Sequence, residues 1–277
     1  MNAFRTQTGK KAVLDYYDTL LQNISVPYEE INTNTRYGNT SIIAAGDKQK
    51  SPLILLHGSS MNATMWIGDI NNFSEEFRVY APDMPGEPGK SSEEQLPFES
   101  MAYVDWLHDV LKGLEITNTA VLGISLGAWL AAKFSMAYPE IVSKLILLCP
   151  AGIGSQNHEF KNIAMSLLSK GEEGVNELFA QINGGAKIPD IILNYQKLIA
   201  VAFHSRQEII PLFSDEDLKK LTMPSLLMVG EKDIMLNSIE TAERYQANVP
   251  GAKIKILPDA SHSLTGLTAD ISDFLKY

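Results

Sequence analysis

Five short runs dominated by apolar residues punctuate the chain, at 53–56, 77–82, 120–124, 144–149 and 224–230. Runs of this length that do not alternate with polar residues predict strands buried on both faces. Between them, apolar residues recur at helical spacing. Met101, Val104, Leu107, Leu111 and Leu114 form one such set; Leu126, Leu130, Phe134 and Tyr138 form another, which stops at Pro139. Strands that alternate with helices imply a mostly parallel sheet joined by right-handed crossovers, an α/β fold. Ahead of the first run, Val13, Tyr17, Leu20, Leu21 and Ile24 share one face of a helix expected over 11–24 and ended by Pro27. Residues 28–45 alternate loosely around Tyr37-Gly38-Asn39-Thr40, which predicts two antiparallel strands and a turn.

The rhythm changes at Pro150. Across 151–221 there is no strand pattern, only helical ones: Phe160, Ile163, Ala164, Leu167 and Leu168; then Val175, Leu178, Phe179 and Ile182; then Ile191, Ile192, Tyr195, Leu198, Ile199, Ala202 and Phe203. Gly171, Gly174, the Gly184-Gly185 pair and Pro189 separate them. Ser214 followed by Asp215, Glu216 and Asp217 reads as a helix N-cap with acids in the first turn. A strand over 224–230, a helix over 237–247, a strand over 253–257 and a helix over 264–275 close the chain. The expected organisation is a core of 1–150 and 222–277 interrupted by a helical insertion, 151–221.

Composition narrows the functions. The 277 residues are 45% hydrophobic, enough for one substantial α/β domain with an excursion. A net charge of −10 argues against binding nucleic acid or an anionic membrane surface. No apolar stretch approaches the length of a membrane span, and the basic residues Arg5, Lys10 and Lys11 are not followed by the apolar run of a secretion signal. The single cysteine, Cys149, has no internal partner and ends a buried run, so it is expected as a small core residue of a cytoplasmic protein.

The chemistry gathers at strand ends. Ser125 lies between Gly123 and Gly127 where a strand pattern turns into a helix pattern, a G-x-S-x-G corner that presents a hydroxyl at the positive end of a helix. A serine nucleophile needs a base oriented by an acid. Of the five histidines, His262 follows the last strand, where parallel sheets build their active sites. His57, also at a strand end, is expected to hold its loop; His108 lies in a core helix, and His158 and His204 lie in the insertion. Asp233 follows the penultimate strand and is the expected acid, with Glu231 as alternative; Asp259, close to His262 in sequence, suits a turn. Gly89-Lys90-Ser91 invites a phosphate-loop reading, but Met84 stands where that motif needs glycine, and Pro85 and Pro88 lack the N–H donors. No pattern supports a nucleotide cofactor or a catalytic zinc.

The order Ser125, Asp233, His262 resembles the α/β-hydrolases, over the chain from about Arg36 onward. His57-Gly58-Ser59-Ser60 is similar to that family's loop after its third strand. The resemblance implies an oxyanion hole made by the N–H groups of Ser59 and Leu126, with Ser60 the alternative to Ser59, and makes 151–221 a cap over the pocket. One departure stands out: in Asp83-Met84-Pro85-Gly86-Glu87-Pro88-Gly89-Lys90-Ser91 the glycines are one residue further apart than in the family pattern. Ser125 separates the chain from the dehalogenases and epoxide hydrolases of the fold, which use aspartate. The implied activity is hydrolysis of a small, largely apolar ester through an acyl-enzyme, without a cofactor. A thioesterase, a perhydrolase, a C–C bond hydrolase using Arg206 for a substrate carboxylate, or a non-catalytic ligand-binding member of the fold are the alternatives.

Overall fold

Each apolar run becomes a strand of one eight-stranded sheet: β1 (Tyr28–Thr35), β2 (Gly38–Ala45), β3 (Pro52–Leu56), β4 (Arg78–Pro82), β5 (Thr119–Ile124), β6 (Val142–Leu148), β7 (Ser225–Gly230) and β8 (Lys253–Leu257). The structure is a computed structural model and describes residues 3–276 except 185, 187 and 207; Gly185 of the expected glycine pair therefore lies outside the described residues. The strand order is β1-β2-β4-β3-β5-β6-β7-β8. β2 runs antiparallel to both β1 and β4, and every other neighbouring pair is parallel. The expected mostly parallel α/β sheet is observed.

The helices are α1 (Gln7–Leu21), α2 (Ile67–Phe73), α3 (Ala102–Gly113), α4 (Leu126–Ala137), α5 (His158–Leu168), α6 (Glu172–Asn183), α7 (Asp190–Ala202), α8 (Asp215–Leu218), α9 (Ser238–Asn248) and α10 (Thr268–Lys276). Successive side chains of a strand face opposite ways, and here both faces are core. Ile54, Leu56, Leu145 and Leu147 pack with α3, α4 and α9. Leu53, Leu55, Ile146 and Leu148 pack with α1, α2, α7 and α10. That is why the central strands carry no polar alternation.

Three boundaries differ from the sequence expectation. α1 begins at Gln7 because the Thr6 hydroxyl accepts the Gly9 N–H, and it ends at Leu21, where the Asn23 amide caps the Leu20 carbonyl. Ile24 is buried beyond the helix rather than on it. A 3-10 turn, Ala63–Trp66, and α2 fill the segment between β3 and β4 that carried no helical expectation. α10 starts at Thr268 instead of residue 264, since Gly266 takes a left-handed conformation (φ 72°) just before it.

Between β6 and β7 lie α5, α6, α7 and α8, and α7 is tied to the N-terminal helix. Tyr16 stacks on Tyr195 with ring centroids 5.1 Å apart, and its hydroxyl donates to the Ile191 carbonyl. The Arg5 N–H donates to the Ala202 carbonyl and the Arg5 Nε to the Phe203 carbonyl. The buried Tyr195 hydroxyl accepts from the Asn62 amide at 2.7 Å. On the way back to the sheet, Arg244 of α9 donates to the Ile153 and Phe213 carbonyls and pairs with Asp215, closing the two roots of the insertion together. Ser214 forms the expected N-cap of α8, as a capping box with Asp217. Among the described residues no helix is long and apolar enough to cross a membrane.

Tyr195→Phe would leave the buried Asn62 amide short of an acceptor, so it is expected to lower stability by about 1–2 kcal/mol, read from the urea midpoint.

Candidate active site

β5 ends at Ile124 and α4 begins at Leu126, which leaves Ser125 to make the corner. It does so at φ 54°, ψ −112°, a conformation that side chains avoid. The flanking glycines are required by close approach. A Cβ on Gly127 would overlap the Leu56 carbonyl, and one on Gly123 would overlap the Gly127 carbonyl. The corner is pinned at both ends: the Ser125 N–H donates to the Leu148 carbonyl, and its carbonyl accepts the Trp129 N–H.

Asp233 follows β7 and His262 follows β8, and the fold brings them together. Nδ1 of His262 lies 2.7 Å from Oδ2 of Asp233. The other oxygen, Oδ1, accepts the N–H groups of Met235 and Leu236 at 2.7 and 3.1 Å. Burial pushes the Asp233 carboxyl up, but the His262 bond and charge and the two backbone donors more than offset it, so the carboxyl stays below its ordinary value. An ionised Asp233 fixes the proton of His262 on Nδ1 and leaves Nε2 as the basic nitrogen. Glu231 is exposed, and Asp259 forms a surface pair with Lys232 at 2.8 Å. Neither joins the site.

The other histidines fall where the sequence placed them. His57 is fully buried, donating from Nδ1 to the Gly58 carbonyl and accepting the Met84 N–H at Nε2. Burial takes its imidazole down to about 4, so it is a neutral strut of the loop. His108 stacks on Tyr138, while His158 and His204 are exposed.

Of the two donors weighed for the loop after β3, Ser60 is engaged elsewhere: its N–H donates to Oε2 of Glu87 at 2.6 Å and its hydroxyl to that of Ser205. Ser59 is exposed at the mouth of the loop, next to Gly58, whose Cα faces the Cβ of Ser125. Leu126 is buried at the start of α4. Glu87 itself was missed from sequence; its trace was the extra residue between the two glycines. Gly89-Lys90-Ser91 wraps a carboxylate rather than a phosphate. The Ala63 and Lys90 N–H groups and the Tyr17 hydroxyl donate to Asp83, and Ser91 Oγ bonds the Asp83 carbonyl.

Among the described residues, one group of side chains has metal-ligand spacing: Cys149 Sγ, an Asp233 oxygen and a His262 nitrogen lie within 4.8 Å of one another. A metal would need the thiolate. Burial, then the Asp233 charge, pushes the Cys149 thiol up, so it stands as a neutral neighbour of the Asp233–His262 pair.

A model of the alpha/beta hydrolase family matches residues 53–270. The chain belongs to that family. It is 30% identical to carboxylesterase YbfK of Bacillus subtilis (strain 168) over 258 residues, 90% of this chain and 86% of that protein. The crystal structure of carboxylesterase CesB (YbfK) from Bacillus subtilis is similar over 97% of this chain and 98% of that one, at 28% identity and a TM-score of 0.86. Naproxen esterase (carboxylesterase NP) from Bacillus subtilis is similar over 98% of both chains, at 25% identity and a TM-score of 0.87. In this alpha/beta hydrolase, β1 and β2 and the α1 layer precede the matched segment.

The two kinds of glycine in the site should behave differently. Gly127→Ala overlaps backbone and is expected to lose about 3 kcal/mol or fail to fold. Gly58→Ala meets nothing nearer than 3.7 Å and should melt within a few degrees of the parent; thermal unfolding of the pair checks both.

Proposed function

We propose that this chain is a carboxylic ester hydrolase whose triad is Ser125, His262 and Asp233. The observation that carries the reading is the strained Ser125 at the head of α4, in a fold that also bonds His262 to Asp233 at the ends of the strands two and three places along. The kinship with proteins named carboxylesterases supports the reaction class.

In this mechanism Nε2 of His262 takes the Ser125 proton as the hydroxyl oxygen attacks the ester carbonyl. Asp233 holds the ring and stabilises the imidazolium. The oxyanion accepts the Ser59 and Leu126 N–H groups, each of which is worth roughly 10²–10³ in rate in such sites. His262 then gives its proton to the departing alkoxide, releasing the alcohol and leaving Ser125 acylated. Water, deprotonated by His262, cleaves the acyl-enzyme to the carboxylic acid. No cofactor is needed for any of these steps.

We take 151–221 as the cap and a small, largely apolar ester as the substrate. Arg206, the cation a C–C hydrolase would use for a substrate carboxylate, supports that choice by being engaged. It lies 3.8 Å over the Phe98 ring, pairs with Glu208, and donates to the Leu96 carbonyl and the Tyr103 hydroxyl. The single buried Cys149 keeps a cytoplasmic location within the proposal.

Intact mass after incubation with a fluorophosphonate tests the assignment. The parent should gain one adduct and Ser125→Ala none, while turnover of p-nitrophenyl esters falls by about 10³-fold or more in the variant. An adduct on Ser125→Ala, or undiminished turnover by it, would overturn the triad.

A further inference from the structure

Glu87 is 2% exposed, and its carboxyl bonds the Ser60 N–H. With Pro88 it separates Gly86 from Gly89 in the loop after β4, and the loop is hydrogen-bonded on either side of it. The Gly86 N–H donates to the Ser92 carbonyl, the Gly89 N–H to the Glu87 carbonyl, and the Asn62 amide to the Pro88 carbonyl. The side chain crosses to the loop after β3 and meets the Ser60 N–H at 2.6 Å. Ser60 in turn holds φ 55°, a left-handed conformation costing a serine about 1 kcal/mol or more.

We propose that Glu87 is a positioning residue for the oxyanion hole: by accepting the Ser60 N–H it holds Ser60 left-handed and aims the preceding Ser59 N–H at the carbonyl attacked by Ser125. The inference rests on the triad proposed above.

The group does this as a neutral acid. Burial raises its carboxyl to about 8, against the Ser60 N–H and the Arg206 charge, which lower it. The groups that face it are Arg206, whose guanidinium is bonded to Glu208 and Tyr103, and the Tyr103 phenol. Oε2 accepts the N–H, and Oε1 is buried with no hydrogen-bond partner among the described residues. A neutral carbonyl oxygen positions the loop without setting a negative charge beside the oxyanion. With a folded value raised to about 8, the neutral form is present below that pH and is lost as pH rises through it.

The test measures kcat and KM for a p-nitrophenyl ester from about pH 6 to about pH 10 in the parent, Glu87→Gln and Glu87→Ala, with a melting curve for each. Glu87→Ala is expected to lower kcat by about 10²-fold with KM nearly unchanged, the signature of a lost transition-state donor. Glu87→Gln, whose amide oxygen can accept the same N–H, should recover most of that loss. The parent's kcat should fall above pH 8, whereas Glu87→Gln should stay level there. Parent-like kcat in a folded Glu87→Ala, or a shared alkaline fall in parent and Glu87→Gln, would overturn the proposal. If Glu87→Ala fails to fold, the alkaline comparison decides alone. Turnover by Ser125→Ala would instead defeat the triad itself, which keeps the two failures apart.

Discussion

The contact on which the site depends is the one between α4 and the ends of β3 and β5. Gly127 lies against the Leu56 and His57 carbonyls, and Gly123 lies against Gly127, with no room for a side chain at either place. With helix and sheet this close, the chain has one residue in which to turn, and Ser125 takes the strain at φ 54°. Such strain costs about 1–3 kcal/mol and persists only where surrounding packing over-determines it. Here it does. Trp129, Leu130 and Phe134 on α4 are wholly buried, and each large apolar side chain so placed contributes about 1.5–3 kcal/mol. Trp129 is further boxed by Phe98, Tyr103 and Phe213. The Ser125 geometry is thus enforced by a helix that is apolar on nearly every side.

Three buried carboxyl groups are shifted to different extents because they have different donors. Asp233 has an imidazole and two backbone N–H groups, and is held ionised despite burial. Asp83 has two backbone N–H groups and a phenol but no cation in contact, and burial lifts it to about 6. Glu87 has one N–H, and burial lifts it to about 8. Desolvation acts on all three; what separates them is how many donors answer it and whether one can carry charge. The carboxyl with an imidazole partner is held down, and the one with a single N–H donor is raised furthest.

The sequence made the triad region legible because its signals are local and stereochemical. Gly123, Ser125 and Gly127 report a backbone crossing, and Asp233 and His262 are recognisable as polar residues just past apolar runs. The choice of His262 over His57 followed from chain order, and the structure gives His57 the strut role expected of it. Ser59 was preferred to Ser60 only through the family resemblance, because what engages the Ser60 N–H is a carboxylate arriving from a loop 27 residues away in the chain. α2 was invisible for a related reason: it is one short helix whose buried Ile67, Ile70 and Phe73 are too few to show a period. The early end of α1 and the late start of α10 were set by Asn23 and Gly266, single residues that outweigh a continuing apolar pattern.

The insertion was legible as helices, but periodicity cannot say what a helix packs against. α7 buries Tyr195, Ile199 and Ala202 in the same core layer as Val13, Tyr17 and Leu20 of α1. α5 buries little: Leu167 is at 5% exposure, while Ile163, Met165 and Leu168 stand at 40%, 57% and 39%. Local stability follows buried apolar contact, so α7 belongs energetically to the core and α5 is the weakly held helix of the insertion. α6 buries Val175 and Leu178 and bonds the segment around His262. Beyond α7 the chain runs through Phe203, buried against Phe4, to Ser205, whose hydroxyl meets Ser60. The segment that leaves the firm side of the insertion therefore also braces the loop that carries Ser59. The loop that carries Ser59 is thereby held from the α7 side, while the end of α6 bonds the segment around His262 through Ser261 and Ser263.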